Sequence, residues 1–382
     1  MSFFVRLDCR RVALLLWVVA VLVITVMVAA RPSHRSAMIV YHQAADLWMA
    51  EAPLYANPLE YNYLPVYAPL FAPFHWLPVP LGDVLWRWMA ASLLASGLWR
   101  LVRVPGHDAG LAFLVATALA MPLCLGALRN GQANALVAAL LLHVAACLPR
   151  EQWKTAAILI VVTIAVKPIA LTLLLLAPLV YRKLIVPLAV ALAVLVALPF
   201  ALGAPSYVMA QHRAFAANLR ICSAVTEHRF ADLNGMLRTF GAEIPSAVSI
   251  AMRVVAGALT ALVWWWTGRR MEEPQRGLWL YLLATAYLML FNPMTETNSY
   301  VIAVPALALW AERVLSEPGG RAMGWVLAGI VVAMSAFSPT RSSFKLFWYP
   351  AMTMLFLGLV SWFLWRTTLN NRQSYARNHP KN

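Results

Sequence analysis

Acidic residues are scarce in this chain: 15 Asp and Glu stand against 30 Lys and Arg, and charged residues of both signs make up only 12% of its 382 positions. An ordinary soluble domain is about a quarter charged, so that class is excluded. Cysteine is scarce too. Cys124 and Cys147 lie inside apolar stretches, Cys9 sits near the N-terminus and Cys222 in a polar stretch, with no C-x-x-C or metal-type spacing. Neither a disulfide framework nor a zinc site is implied. The G-x-G-x-x-G, P-loop, H-E-x-x-H and G-x-S-x-G signatures are missing as well, so no cofactor is expected on motif grounds, while a divalent metal requirement stays open. Neither a low-complexity tract nor an internal repeat is present.

What the chain has instead is apolar length. Hydrophobic residues make up 62% of it, in long blocks rather than a 3.6-residue stripe, which is the pattern of helices that face lipid. The first block, Val12 to Ala30, follows Arg6, Arg10 and Arg11. It is longer than the core of a cleaved signal peptide, so an uncleaved signal-anchor helix with a cytoplasmic N-terminus is expected. Further blocks run over 84–102, 111–128, 133–149, 184–204, 247–267, 278–291, 299–315, 322–338 and 345–365. The expected fold is all-α: one polytopic membrane domain over residues 1–369, about ten to twelve membrane segments, two long outer loops and a polar cytoplasmic tail over 370–382. The net charge of +15 does not point to nucleic acid, because the basic residues are scattered between blocks rather than gathered in one patch. Membrane lipids are their expected partners.

Thr155 to Tyr181 admits two readings, because Lys167-Pro168 interrupts it and each half is short for a straight crossing. It is one kinked helix or two short membrane segments meeting at the Lys-Pro turn. With two segments, the basic residues Arg100, Arg103, Arg150, Lys154, Arg182, Lys183, Arg269 and Arg270 collect on one side with the N-terminus. The positive-inside tendency favours that map, with both termini cytoplasmic in the cell (inner) membrane and the active face periplasmic or extracellular.

On this map the outer side receives the loops Arg31–Asp83 and Pro205–Ser246 and three short turns, Arg129-Asn130-Gly131-Gln132, Lys167-Pro168 and Asn292–Asn298. Polar residues where helices meet the membrane are costly unless they pair or line a wet cavity, so each is a functional candidate. In the first loop Tyr41, Ala45 and Trp48 share a helical face, implying a short helix on the membrane surface, with Asp46 or Glu51 as candidate carboxylates. Arg129 with the amides Asn130, Gln132 and Asn134 at a helix start suits an anion, or is a polar turn with an interfacial arginine. Lys167 is a phosphate contact or a structural lysine paired with a carboxylate. Thr295 or Thr297 is a candidate N-cap, and Glu296 beside them a candidate base. Arg213, Arg220 and Arg238, with His212, His228 and Arg229, make the second loop basic enough for a lipid headgroup or lipid-linked phosphate. His143, mid-helix, is expected to be a hydrogen-bonded core histidine.

Tyr41-His42-Gln43-Ala44-Ala45-Asp46-Leu47-Trp48 with Leu54-Tyr55, Tyr63-Leu64-Pro65, Asn130-Gly131-Gln132-Ala133-Asn134, Lys167-Pro168 and Asn292-Pro293-Met294-Thr295-Glu296 follow one another as in bacterial glycosyltransferase family 87, which the chain resembles over nearly its whole length. The resemblance implies a GT-C fold and a mannosyltransferase-like activity. In such proteins a hexose passes from a polyprenyl-phosphate donor to a lipid or glycan acceptor at the outer membrane face. By that resemblance Asp46 and Glu296 are the candidate catalytic carboxylates, and Arg129, Lys167, Arg220 and Arg238 the donor-phosphate contacts. Tyr41, Asn130, Gln132, Asn134 and Asn298 are the expected substrate contacts. One departure stands out: the family's aspartate four residues before the loop tyrosine is Ala37 here. A transporter or flippase for lipid-linked sugars, and a non-catalytic relative, are the competing readings; the absence of related halves speaks against the transporter.

Overall fold

The computed structural model describes residues 8–31, 36–104, 106–223, 230–336 and 342–378, so Arg6, Glu227, His228, Arg229 and the last four residues of the expected tail lie outside the described residues. Sixteen α-helices follow one another: α1 (Cys9–Ala30), α2 (Met38–Met49), α3 (Tyr67–His75), α4 (Val79–Val102), α5 (Ala109–Asn130), α6 (Ala133–Cys147), α7 (Trp153–Val166), α8 (Leu171–Val180), α9 (Ile185–Leu202), α10 (Pro205–Ser223), α11 (Leu233–Arg238), α12 (Ser246–Gly268), α13 (Gln275–Phe291), α14 (Val304–Ser316), α15 (Arg321–Ala336) and α16 (Ser342–Asn378). Among the described residues there is no strand. The protein is all-α and polytopic, with six helices among the described residues long and apolar enough to cross a membrane. α16 continues through the start of the expected polar tail.

Burial sorts the helices. Every residue of α6 is buried, and α13 and α14 are nearly so, whereas α1, α9 and α12 expose rows of Leu, Val and Trp. A helix apolar all round lies in the core of a bundle, and one apolar on its exposed side meets lipid. In lipid the apolar effect does not drive helices together, so close backbone approach must. Gly97 of α4 is one such place, because a Cβ there would meet Leu142 of α6 at 2.7 Å.

The Lys-Pro region resolves into two short helices. α7 ends at Val166, Lys167 is extended, and a 3-10 turn at Pro168–Ala170 starts the return. The Trp153 and Tyr181 rings meet at 5.9 Å, and Lys183 Nζ reaches Glu151 Oε2 at 3.5 Å. α7 and α8 therefore run antiparallel, with Lys167 at the far end of the hairpin.

The two long loops pack on each other. Tyr207 of α10 donates its hydroxyl to Ala52 O (2.9 Å), Leu54 N–H donates to Gln211 Oε1 (3.0 Å), and Asn218 Nδ2 donates to Tyr61 O (3.2 Å). As the sequence suggests, α2 buries Tyr41, Ala44, Ala45 and Trp48 on one face. His143 also behaves as expected: Arg100 Nη1 lies 2.9 Å from its Nδ1, and its Nε2 is 3.1 Å from Leu93 O.

Candidate functional site

The turn between α5 and α6 sets the first wall. Gly131 takes a left-handed φ of 65°, and a Cβ there would meet Met38 at 2.7 Å and Arg87 Cζ at 3.0 Å, so only glycine fits. Trp86 donates Nε1–H to Gly131 O (3.0 Å) and Ala37 donates N–H to Asn130 O (2.8 Å). Thus pinned, the turn presents Gln132 and then Asn134. The first backbone N–H of α6, at Ala133, is already taken by the Tyr41 hydroxyl (3.0 Å), so part of the anion-binding capacity expected at this helix start is occupied.

Across from the turn, Lys167 donates Nζ–H to Asn134 Oδ1 (2.8 Å), and Asn134 Nδ2 donates to Ser299 Oγ (3.2 Å). Gln132 Nε2 lies 3.5 Å from Glu296 Oε2. The Tyr41 and Tyr63 hydroxyls share a hydrogen bond of 2.8 Å, and Lys167 Nζ sits 6.0 Å over the Tyr63 ring. Burial is the largest cause holding the Tyr41 hydroxyl above the ordinary tyrosine value, and the nearby Glu296 charge adds to it; the phenol therefore stays neutral. Residues from five parts of the chain, Tyr41, Tyr63, Gln132 with Asn134, Lys167, and Glu296 with Ser299, thus form one cluster at one end of the bundle. Glu296 is exposed while Asn134 is buried, so the carboxylate is the member open to an incoming molecule. The arrangement offers a carboxylate that can take a proton, an ammonium that can meet a phosphate, and amide and phenol groups that can hold hydroxyls.

The segment carrying Glu296 is held from behind. Ala231 N–H donates to Thr295 O (2.7 Å), and the Tyr300 hydroxyl donates to Ala231 O (2.7 Å). Neither Thr295 nor Thr297 caps a helix. Thr295 Oγ1 donates back to Asn292 O (2.8 Å), and the chain enters a 3-10 turn at Thr297–Ile302 whose capping position is Glu296, with no side-chain cap bond.

Other candidates lie elsewhere. Asp46 is on the exposed side of α2, 3.0 Å from His75 Nε2. Glu51 is exposed just past the end of α2. Arg129 lines a cavity of about 340 Å³ with Val26, Met27, Arg31 and Arg87, a lining that includes no member of the cluster. Arg220 is exposed on α10. Arg238 ends α11, whose N-cap Asp232 accepts from Gly235 N–H (2.7 Å). Asn130 contributes its carbonyl, and Asn298 Oδ1 lies against Gly126 on the preceding turn of α5. Sequence reasoning missed Ser299 and the buried Asp83 and Arg87 of α4. A charged pair four apart at the start of an apolar span was the signal available for the last two. Among the described residues no cluster of His, Cys, Asp and Glu fits a metal ion.

The protein-family model described as glycosyltransferase family 87 matches residues 61–293, well over half of the 382. No curated protein and no solved structure matches the chain. The matched span holds Tyr63, Gln132, Asn134 and Lys167 and stops just before Glu296. The helical membrane fold and the span of that match together place the chain in glycosyltransferase family 87.

Proposed function

We propose that the protein moves a hexose from a polyprenyl-phosphate donor to an acceptor hydroxyl at the outer face of the membrane, with Glu296 as general base and Lys167 as the contact to the donor phosphate. The carrying observation is the meeting of Gln132, Asn134, Lys167 and Glu296 at one end of the bundle. In the reaction the acceptor oxygen bonds to the anomeric carbon as the bond from that carbon to the phosphate oxygen breaks. The proton passes to the Glu296 carboxylate, and the electron pair leaves on the phosphate, where the Lys167 ammonium meets the growing charge. Gln132 holds sugar hydroxyls, the buried Tyr41 and Asn134 keep the α6 start and Lys167 in place, and the exposed apolar faces of neighbouring helices accept the prenyl tail. Asp46, occupied with His75, is not the base in this reading, and Arg129 is not a phosphate contact.

The sidedness rests on the arginines at the opposite end of the bundle, which the positive-inside tendency puts in the cytoplasm with both termini. Two experiments test the reading. Glu296→Gln in purified protein should lower sugar transfer from a polyprenyl-phosphate donor by roughly 10²–10⁴-fold; full activity sinks the assignment. A cysteine at 132 or 296, placed in a variant without the four native ones, should react with an impermeant reagent outside intact cells, and protection there reverses the orientation. Passage of the lipid-linked sugar between leaflets without a new glycosidic bond would favour the flippase reading instead.

A further inference from the structure

Beside the cluster, four titratable side chains from three helices form a line. His75 Nε2 of α3 meets Asp46 Oδ1 of α2 at 3.0 Å, the Nδ1 atoms of His75 and His42 face each other at 3.0 Å, and His42 Nε2 meets Asp83 Oδ1 of α4 at 2.9 Å. The line is wet at one end and dry at the other: the Asp46 side chain is 64% exposed and that of Asp83 3%. Past Asp83 it continues through Arg87, whose Nη1 is 3.5 Å from Asp83 Oδ2. Arg87 also donates Nε–H to Arg129 O (3.1 Å) and Nη2–H to Ser36 Oγ (3.2 Å). The chain of contacts thus ends on the turn that presents Gln132. The charged groups facing the couple are Asp46 from α2 and Asp83 and Arg87 from α4; α3 adds the Phe71 ring, 5.2 Å from His42.

With both carboxylates ionised, counting protons gives one state. An ionised carboxylate only accepts, so both Nε2 atoms must donate. Two Nδ1 atoms at hydrogen-bond distance need one proton between them and no more. We propose that His42 and His75 share a single proton across their Nδ1 atoms, and that this couple acts as a positioning device, locking α2 to α3 and α4 so that Tyr41 and the Asn130–Gln132 turn stay in register. The shared proton itself does not depend on the transfer reading above; its positioning role does.

The couple holds three protons on four nitrogens. One imidazolium, one neutral imidazole and Arg87 then balance Asp46 and Asp83. Remove the shared proton and two lone pairs face each other; add one and two N–H groups do. Either change breaks the lock, so the device fails on both flanks of a pH window. Linkage gives the sign. In acid, the unfolded chain binds two protons where the couple binds one, so stability falls as pH falls. In alkali the unfolded chain binds none where the couple binds one, so stability falls as pH rises.

The test is unfolding of the full-length protein in lipid nanodiscs against pH, wild type compared with the double variant His42→Asn/His75→Asn, whose two amides can bond to each other and neither of which titrates. The folding equilibrium constant of wild type relative to the variant should fall by up to about tenfold per pH unit on each flank, one proton at a time. A flat difference, or a fall on one flank alone, overturns the shared proton. ¹⁵N-histidine spectra of the wild type give a reading that needs no variant: one imidazolium and one neutral ring, coupled through Nδ1, should persist across the plateau, and two neutral rings there refute the proposal. Sugar transfer should lose rate on the same two flanks and flatten in the double variant. A flattened stability dome with an unchanged transfer profile removes the positioning role while leaving the Glu296 assignment standing.

Discussion

At one end of the bundle five arginines lie over tryptophan faces. Arg10 and Arg103 lie over Trp99 at 4.7 and 5.9 Å, Arg269 over Trp265 at 4.2 Å, Arg270 over Trp266 at 4.3 Å and Arg366 over Trp362 at 5.3 Å. At the other end Lys167 is held by a buried amide and faces a carboxylate. The first arrangement anchors a helix at headgroup depth, where stacking is tolerant of small shifts. The second fixes one nitrogen to within a hydrogen bond. Anchoring needs many approximate contacts and the proposed site a few directed ones, and these five arginines and Lys167 differ in that way.

The comparison breaks most sharply at Lys167. Lys167→Gln should lower the turnover rate by roughly 10²–10³-fold, the scale for removing a donor aimed at developing charge, whereas Arg269→Ala should stay within about twofold because it only stacks on Trp265. Steady-state transfer assays on the two proteins decide it, with thermal unfolding run alongside to exclude collapse. Equal losses would mean that the two ends are not functionally distinct.

A second variant asks whether a carboxylate at position 37 can stand in for Glu296. Ala37 caps α2 and donates its N–H to Asn130 O, so a carboxylate there would stand beside the same turn. In a Glu296→Gln background, Ala37→Asp should recover transfer by about tenfold, part of the range that a positioned base supplies. No recovery, with the fold intact, would mean that position 37 does not reach the acceptor.

These expectations rest on features that differed in how readable they were. The spans were legible because lipid demands unbroken apolar length, and the break at Lys167-Pro168 because proline lacks an N–H and each half is short. The convergence of Gln132, Asn134, Lys167 and Glu296 followed from asking which polar residues sit at helix ends on one side. Other features depended on rotation about a helix axis. Arg129 leaves the cluster because the last turn of α5 faces α1, which residue order alone does not give. Thr295 and Thr297 look like caps, but the chain enters a 3-10 turn instead of an α-helix. The His42–His75 pair joins residues in different helices, and no local pattern announces it. Arg87 was hidden because an arginine near a span end is usually an interfacial anchor, whereas here it is 3% exposed and each of its three nitrogens donates a hydrogen bond.

The anchoring end carries directed contacts of its own, and those of Arg100 sharpen the contrast by separating stability from activity. Arg100 Nη1 faces His143 Nδ1, its Nη2 donates to Gln152 Oε1 (3.1 Å), and its carbonyl accepts from Arg150 Nη2 (3.0 Å). Because a guanidinium only donates, His143 Nδ1 must accept, and its proton sits on Nε2, directed at Leu93 O and Ser96. Arg100→Ala removes that donor and leaves a partly buried ring nitrogen without a partner between α4 and α6. Such an orphaned group costs about 1–3 kcal/mol, so thermal unfolding in nanodiscs should begin at a lower temperature. Transfer per folded molecule should not change, since the lesion lies at the far end of α4 from Trp86 and Gly131. A fall in transfer without a fall in stability would show that α4 carries the state of one end to the other, and the two ends would have to be treated as one coupled device.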